Sequence, residues 1–158
     1  MNRSYNRNSQ QLNYEIEYRT QFTFTASDQT LSNILNDIAK HSVNLLALTT
    51  TKNRDKKNFV RIVAGTTETE TNRDFNVVRK TLDSHNVSFK EETIIALLNI
   101  PPGVPGVFNQ LYGSLWCKVQ VKSMYLGEND IVFFNVSNIK KATEILSQEI
   151  LKRCQSDC

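Results

Sequence analysis

The residues able to do chemistry are few and poorly placed for it. The chain of 158 residues carries two histidines, His41 and His85, and three cysteines, Cys117, Cys154 and Cys158. Each histidine ends a run with helical spacing and precedes a β-prone run, where an imidazole caps carbonyls or complements the helix dipole. Neither belongs to a nucleophile or metal motif. Glu91 and Glu92 are neighbours on a strand, so they point to opposite faces and cannot act as an acid–base pair on one substrate. Cys154 and Cys158 share a helix face at i, i+4, but a zinc site needs further ligands that nothing nearby supplies. Three cysteines without CxxC spacing argue against a disulfide framework and for a reducing compartment. These residues predict no enzyme, no metal and no other cofactor.

Composition narrows the class further. With 39% hydrophobic residues, 22% charged residues and a net charge of +3, the pattern is that of an ordinary soluble protein, and the basicity is too slight to imply nucleic acid. The N-terminal region lacks the apolar core of a signal peptide, and no run approaches the length of a membrane span. The expectation is a cytoplasmic protein without a membrane partner.

The elements follow from periodicity. Residues 1–19 are rich in Asn, Gln, Ser and Arg, and predict a flexible tail, or an arm that reaches a partner through Tyr5, Tyr14 and Tyr18. In Thr20 to Ala26, Phe22 and Phe24 alternate with polar residues, as a half-buried strand requires. Ser27 or Asp28 caps a helix whose apolar positions are Leu31, Ile34, Leu35, Ile38 and Ala39. Strands over Val43 to Thr51 and Phe59 to Ala64 flank the polar hairpin loop Lys52 to Asn58. A second helix carries Phe75, Val78 and Leu82, and Val87 and Phe89 open a further strand. The order is βαββαβ.

That unit recurs. Shifting the sequence by about 76 positions lays Phe22 on Leu98, Leu31 on Val107, Leu35 on Leu111, Val43 on Val119 and Leu45 on Val121. A second unit starts with the apolar strand Ile94 to Leu98 and the loop Asn99-Ile-Pro-Pro-Gly-Val-Pro-Gly106. A helix with Val107, Leu111 and Leu115 follows, then strands Val119 to Leu126 and Ile131 to Val136, and a helix with Ile139, Ala142, Ile145 and Leu146. Its last strand is not evident. The fold class is α+β, a ferredoxin-like βαββαβ repeated twice, with antiparallel sheets and helices on one face. The division is a tail over 1–19, units over 20–92 and 93–151, and a C-terminal tail over 152–158.

Both faces of Ile94 to Leu98 and of Ile131 to Phe134 are apolar, so the sheet face away from the helices needs covering. A homodimer is the expected cover.

The run Thr93-Ile-Ile-Ala-Leu-Leu-Asn-Ile-Pro-Pro-Gly-Val-Pro-Gly-Val107, with Val119 to Tyr125, Ile131 to Val136 and Lys141 to Leu146, resembles the ACT domain. Val43 to Leu48 and Phe59 to Val63 look like a second copy, so the chain is most similar to small tandem ACT proteins. The resemblance implies a regulatory protein that binds a small ligand, usually an amino acid, where the first strand turns into the first helix, against a neighbouring ACT domain. Loop backbone and the helix N-terminus would hold the ligand carboxylate. By position the candidates are Asn99, Pro102, Gly103, Val104, Pro105 and Gly106 in the second unit, Ser27 and Asp28 in the first, and Asn44 from a facing unit. The position where many ACT domains place Asp or Asn for the ligand ammonium is Pro102 here, and Ala26 in the first unit. The partners implied are a small molecule, a second copy of the chain and a regulated enzyme or other protein.

Two other readings use the same pattern. One is a protein-interaction module without a small ligand. The other is an RNA-binding module with Phe59, Arg61 and Phe133 on an open sheet face and Lys52, Arg54, Lys56 and Lys57 beside it, although the aromatic-rich signature of such modules is absent.

Overall fold

The two central strands are longer than the sequence pattern suggests, and each serves both halves of the protein. The computed structural model describes residues 12–155. Strand β1 runs over Glu15–Ala26 and β4 over Phe89–Leu98, and they pair antiparallel from Glu15 opposite Leu98 to Phe24 opposite Phe89. The break expected between a strand at Phe89 and another at Ile94 does not exist. Glu91-Glu92-Thr93 contains neither Gly nor Pro, and β1 supplies a partner along its whole length. Residues 15–19, expected in a flexible tail, form the first part of β1. They take the place beside β4 where the second unit lacked a strand.

The remaining elements are α1 (Asp28–Lys40), β2 (Leu45–Lys52), β3 (Asn58–Ala64), α2 (Asn72–Ser84), α3 (Val107–Leu115), β5 (Val121–Leu126), β6 (Val132–Val136) and α4 (Ile139–Leu146). One six-stranded antiparallel sheet has the order β2-β3-β1-β4-β6-β5. The arrangement is α+β and ferredoxin-like. Strand alternation decides which residues meet the helices. Phe22, Phe24, Val60 and Ile62 pack with Ile34 and Ile38 of α1 and Val78 and Leu82 of α2. Ile95, Leu97, Val132 and Phe134 pack with Leu111 and Leu115 of α3 and Ala142 and Leu146 of α4.

The N-terminal segment is tied to this second cluster. Leu12, Tyr14 and Ile16 pack against it, Tyr14 donates to the Leu146 carbonyl at 2.6 Å, and the hydroxyls of Tyr18 and Thr143 are 2.9 Å apart. Burial pushes the Tyr14 phenol up to about 12. The expected arm toward a partner is thus, for Tyr14 and Tyr18, a contact within the chain; Tyr5 lies outside the described residues.

The other sheet face curls upon itself. Leu46 and Ala47 of β2 join Val63, Ile94, Ala96, Ile131 and Phe133 in a third buried cluster, and the Tyr125 and Phe133 rings stack at 5.4 Å. Gly127 marks the closest approach, since a Cβ there would lie 2.6 Å from both the Leu46 carbonyl oxygen and the Phe133 ring. Phe133 and Phe134 are fully buried within the chain. The cover expected from a second copy is therefore supplied by curvature, and Phe133 offers no open platform for stacking a base. Right-handed twist accumulated over six strands makes such closure possible.

Candidate functional site

The junction between β4 and α3 is long and irregular. Pro101 and Pro102 cannot donate to a ladder and end the strand, while Asn99, Gly103 and Gly106 take left-handed backbone with φ of 63°, 71° and 85°. Gly106 is the N-cap of α3 and has no side-chain oxygen to offer, so no side chain bonds the opening N–H groups of the helix. A Cβ at Gly103 or Gly106 would meet nothing within 4 Å, so glycine is required there by backbone angle rather than by space.

These residues border a recess of about 280 Å³ whose lining includes Pro102, Gly103, Val104, Gly106, Phe108, Leu126 and Asp130. That is near the lower limit of ligand pockets, roughly 300–1,000 Å³, and suits a small molecule. Of the residues expected from sequence, Pro102, Gly103, Val104 and Gly106 line it. Asn99 and Pro105 belong to the same loop without lining the recess. Asp130 was not anticipated. It sits in the connection between β5 and β6, about 25 residues away in sequence, and only the pairing of β6 with β4 brings it here. The N-terminus of α3 and Asp130 thus border the same recess.

The corresponding junction between β1 and α1 is closed. Ser27 caps the helix through a bond from the Thr30 N–H at 3.2 Å. Asp28 accepts from Lys52 Nζ and from Asn58 Nδ2, the latter at 2.7 Å. The Lys52 bond, followed by the Asn58 bond, holds the Asp28 carboxyl below its ordinary range. Asn44 is distant from both junction loops in its contacts, donating to the Gly65 carbonyl at 2.8 Å and to Glu128 Oε2 at 3.1 Å. Through Glu128 it touches the same connection that carries Asp130.

The two histidines and the Glu91–Glu92 pair make their contacts within the fold. His41 Nδ1 lies 2.8 Å from the Asp37 carbonyl and is the C-cap of α1. His85 Nε2 lies 2.8 Å from Asp37 Oδ2, and this bond lowers the Asp37 pKa. Glu91 pairs with Arg79 of α2 at 2.5 Å, on the helix face, whereas Glu92 lies on the concave face. Among the described residues no three His, Cys, Asp or Glu side chains are grouped to hold a metal. No helix there is long and apolar enough to cross a membrane.

The cysteines differ from expectation. Cys117, just past α3, and Cys154 form a disulfide with a Cα–Cα distance of 5.8 Å across a separation of 37 residues. Spacing along the chain gave no sign of it because the pairing depends on the C-terminal segment returning along α3. The Cys154 N–H bonds the Gly113 carbonyl at 2.6 Å, so residues up to Cys154 are held there, not loose. Cys158 lies outside the described residues.

No family model matches the chain, and no curated protein matches it. Solved structures share its fold. Protein BT0572 from Bacteroides thetaiotaomicron is similar with a TM-score of 0.65 at 21% identity, over 83% of this chain and 88% of that one. The ligand-free regulatory subunit of aspartate kinase from Thermus thermophilus gives a TM-score of 0.56 at 5% identity, over 85% and 93%. Aspartokinase alpha and beta subunits give 0.53 at 11% identity, over 83% and 93%. At such identities the likeness is one of fold, and the fold is ACT-like.

Proposed function

We propose that this chain is a non-enzymatic regulatory protein built of two ACT-like units that share β1 and β4, and that it binds an amino acid in the recess between β4 and α3. The observation that carries the reading is the glycine-capped N-terminus of α3 opening beside Asp130. In this reading the helix N–H groups take the ligand carboxylate and Asp130 takes the ammonium, the role for which Pro102 is unsuited. The aspartate kinase regulatory subunit of similar fold supports a regulatory role.

A second copy of the chain would complete the site. Phe108, Tyr112 and Trp116 recur at i, i+4 and i+8 along α3 and are 47%, 45% and 46% exposed, and Leu126 on the edge strand β5 is 48% exposed. Phe108 and Leu126 also border the recess. An apolar surface around an open recess, next to an unpaired strand edge, fits a homodimer with the ligand at its interface.

The test is thermal unfolding with each of the twenty amino acids at millimolar concentration, beside sedimentation velocity. A ligand at about a hundred times its dissociation constant adds roughly 2.7 kcal/mol, which is a shift of several degrees. One amino acid should raise the midpoint, and Asp130→Asn should abolish that response. No shift anywhere in the panel overturns the ligand reading. A dimer in that case supports an interaction module without a small ligand, for which the exposed aromatic stripe of α3 is the specific observation.

A further inference from the structure

After α4 the chain turns back and lies across α3. Helix α4 ends at Leu146, residues 151–155 have no regular secondary structure, and Leu151 still packs against the second apolar cluster. Beyond Leu151 the segment is a strap. The Cys154 N–H bonds the Gly113 carbonyl at 2.6 Å, and the Arg153 stem runs over Gly113, where a Cβ would come within 3.3 Å of Arg153 Cγ. Gly113 seats the strap by having no side chain. Gly113 and Cys117, four residues apart, share the stripe of α3 next to that of Tyr112 and Trp116.

Little besides the Cys117–Cys154 bond holds this strap down. Residues 152–155 are Lys, Arg, Cys and Gln, so they have no aliphatic or aromatic side chain to bury. One main-chain bond and one side-chain stem at the surface oppose the backbone entropy of ordering these residues. The covalent bond therefore decides whether the strap lies on α3, and Leu151, anchored in the core, is the point from which it lifts.

The bond is also placed to be opened. Cys117 is exposed and Cys154 half-buried, so an incoming thiolate reaches Cys117 Sγ first. The sulfur then released is Cys154 Sγ, which already accepts the Cys117 N–H at 3.2 Å, a bond that strengthens when its acceptor becomes an anion. Lys152 and Arg153 immediately precede Cys154, and neighbouring cations stabilise a thiolate. Release in the other sense would leave the charge on Cys117, just past the carbonyl end of α3, where the helix dipole disfavours an anion.

We propose that the Cys117–Cys154 disulfide is a reversible redox switch, holding the strap on α3 when oxidised and freeing it when reduced by a small thiol of the glutathione class. A first thiolate attacks Cys117 Sγ, forming a mixed disulfide and releasing Cys154 as thiolate. A second attacks the small-molecule sulfur of that mixed disulfide and releases Cys117. The two cysteines gain two electrons and two protons, and the two small thiols leave joined as their own disulfide. The lifted strap uncovers Gly113 beside Tyr112 and Trp116, so redox state sets the shape of that face of α3. The switch does not depend on an amino acid binding in the β4–α3 recess.

The test uses the full chain carrying Cys158→Ser, so that the third cysteine cannot exchange into the bond. The protein is equilibrated with reduced or with oxidised glutathione and exposed briefly to trypsin, and the fragments are fully reduced before their masses are read. Sites after Lys152 and Arg153 report the strap; sites after Lys40, Lys80 and Lys141 report the rest of the fold. Reduced glutathione should speed cleavage at the strap sites by at least about tenfold and leave the other sites at their former rate, because cleavage follows the population of locally open chain. Return to oxidised glutathione should restore protection. Cys154→Ser, which cannot close the bond, should be cut fast in both buffers; should it fail to fold, the response of the chain with both cysteines decides. A bond that survives reduced glutathione, strap sites that are cut no faster after reduction, or equal acceleration at every site overturns the proposal. The first outcome makes the disulfide purely structural, the second means that packing holds the strap, and the third means that reduction opens the whole fold.

Discussion

Two strand-to-helix junctions occupy equivalent places in this protein and are built in opposite ways. At β1–α1 the turn is short, Ser27 accepts from the Thr30 N–H, and Asp28 accepts from both Lys52 and Asn58. At β4–α3 the turn is long, the cap is a glycine that makes no side-chain bond, and the start of the helix borders a recess. The closed junction caps its own helix from within the chain. The open one gives up local capping, and α3 is fastened at its far end, where Cys117 joins Cys154 and the Cys154 N–H bonds Gly113. A helix whose N-terminus is left free can be held in place from its C-terminus.

Breaking that fastening should have the largest effect. Cys154→Ser, or reduction of the wild type, removes a cross-link that closes 37 residues and should cost about 2–4 kcal/mol in chemical denaturation. If stability is unchanged, α3 is held by packing alone and the contrast between the junctions loses its physical basis.

Gly127→Val comes next. It drives a side chain into the Leu46 carbonyl and the Phe133 ring where the sheet closes, and should cost about 1–3 kcal/mol, read as a lower denaturation midpoint. A variant as stable as the parent would mean that the curl, and with it the placement of Asp130, is looser than described.

At the closed junction, Ser27→Ala should cost about 1 kcal/mol through the lost cap, with no change in any amino-acid response. Gly106→Ala sharpens the opposite case. Its φ of 85° makes alanine strained by about 1 kcal/mol, yet the open space around it spares the fold, so the loss should fall on ligand response more than on stability. Equal effects of the two substitutions on ligand response would erase the distinction.

The smallest effect is in pH dependence. The folded Asp28 carboxyl titrates below its unfolded value because of Lys52 and Asn58. Its contribution is therefore present above the ordinary carboxylate range, about pH 4, and is lost as pH falls through the lower folded value. Asp28→Asn should make the acid-side loss of stability shallower, measured as denaturation midpoint against pH from 6 downward; an unchanged slope would mean that this exposed pair contributes nothing.

Much of the architecture was legible along the chain. Periodicity marked all four helices and the positions of their buried residues, since Leu31, Ile34 and Ile38 or Ala142, Ile145 and Leu146 lie on one face at local spacing. The loop from Asn99 to Gly106 stood out because proline and glycine constrain their own backbone, whatever surrounds them. Four of its residues do line the recess. The polar composition of residues 15–19, in contrast, hid a strand, because half of it faces solvent and only β4 makes it worth ordering.

What the sequence by itself determined is therefore what depends on neighbours a few residues apart: element types, apolar faces and the irregular junction. Only the tertiary structure decided that β1 and β4 run unbroken through both halves, that the sheet curls until its own face is covered, that Cys117 meets Cys154, and that Asp130 stands beside Gly106. Each of these joins residues distant along the chain, and such contacts are set by strand pairing, twist and closure, which leave no periodic trace in the order of residues.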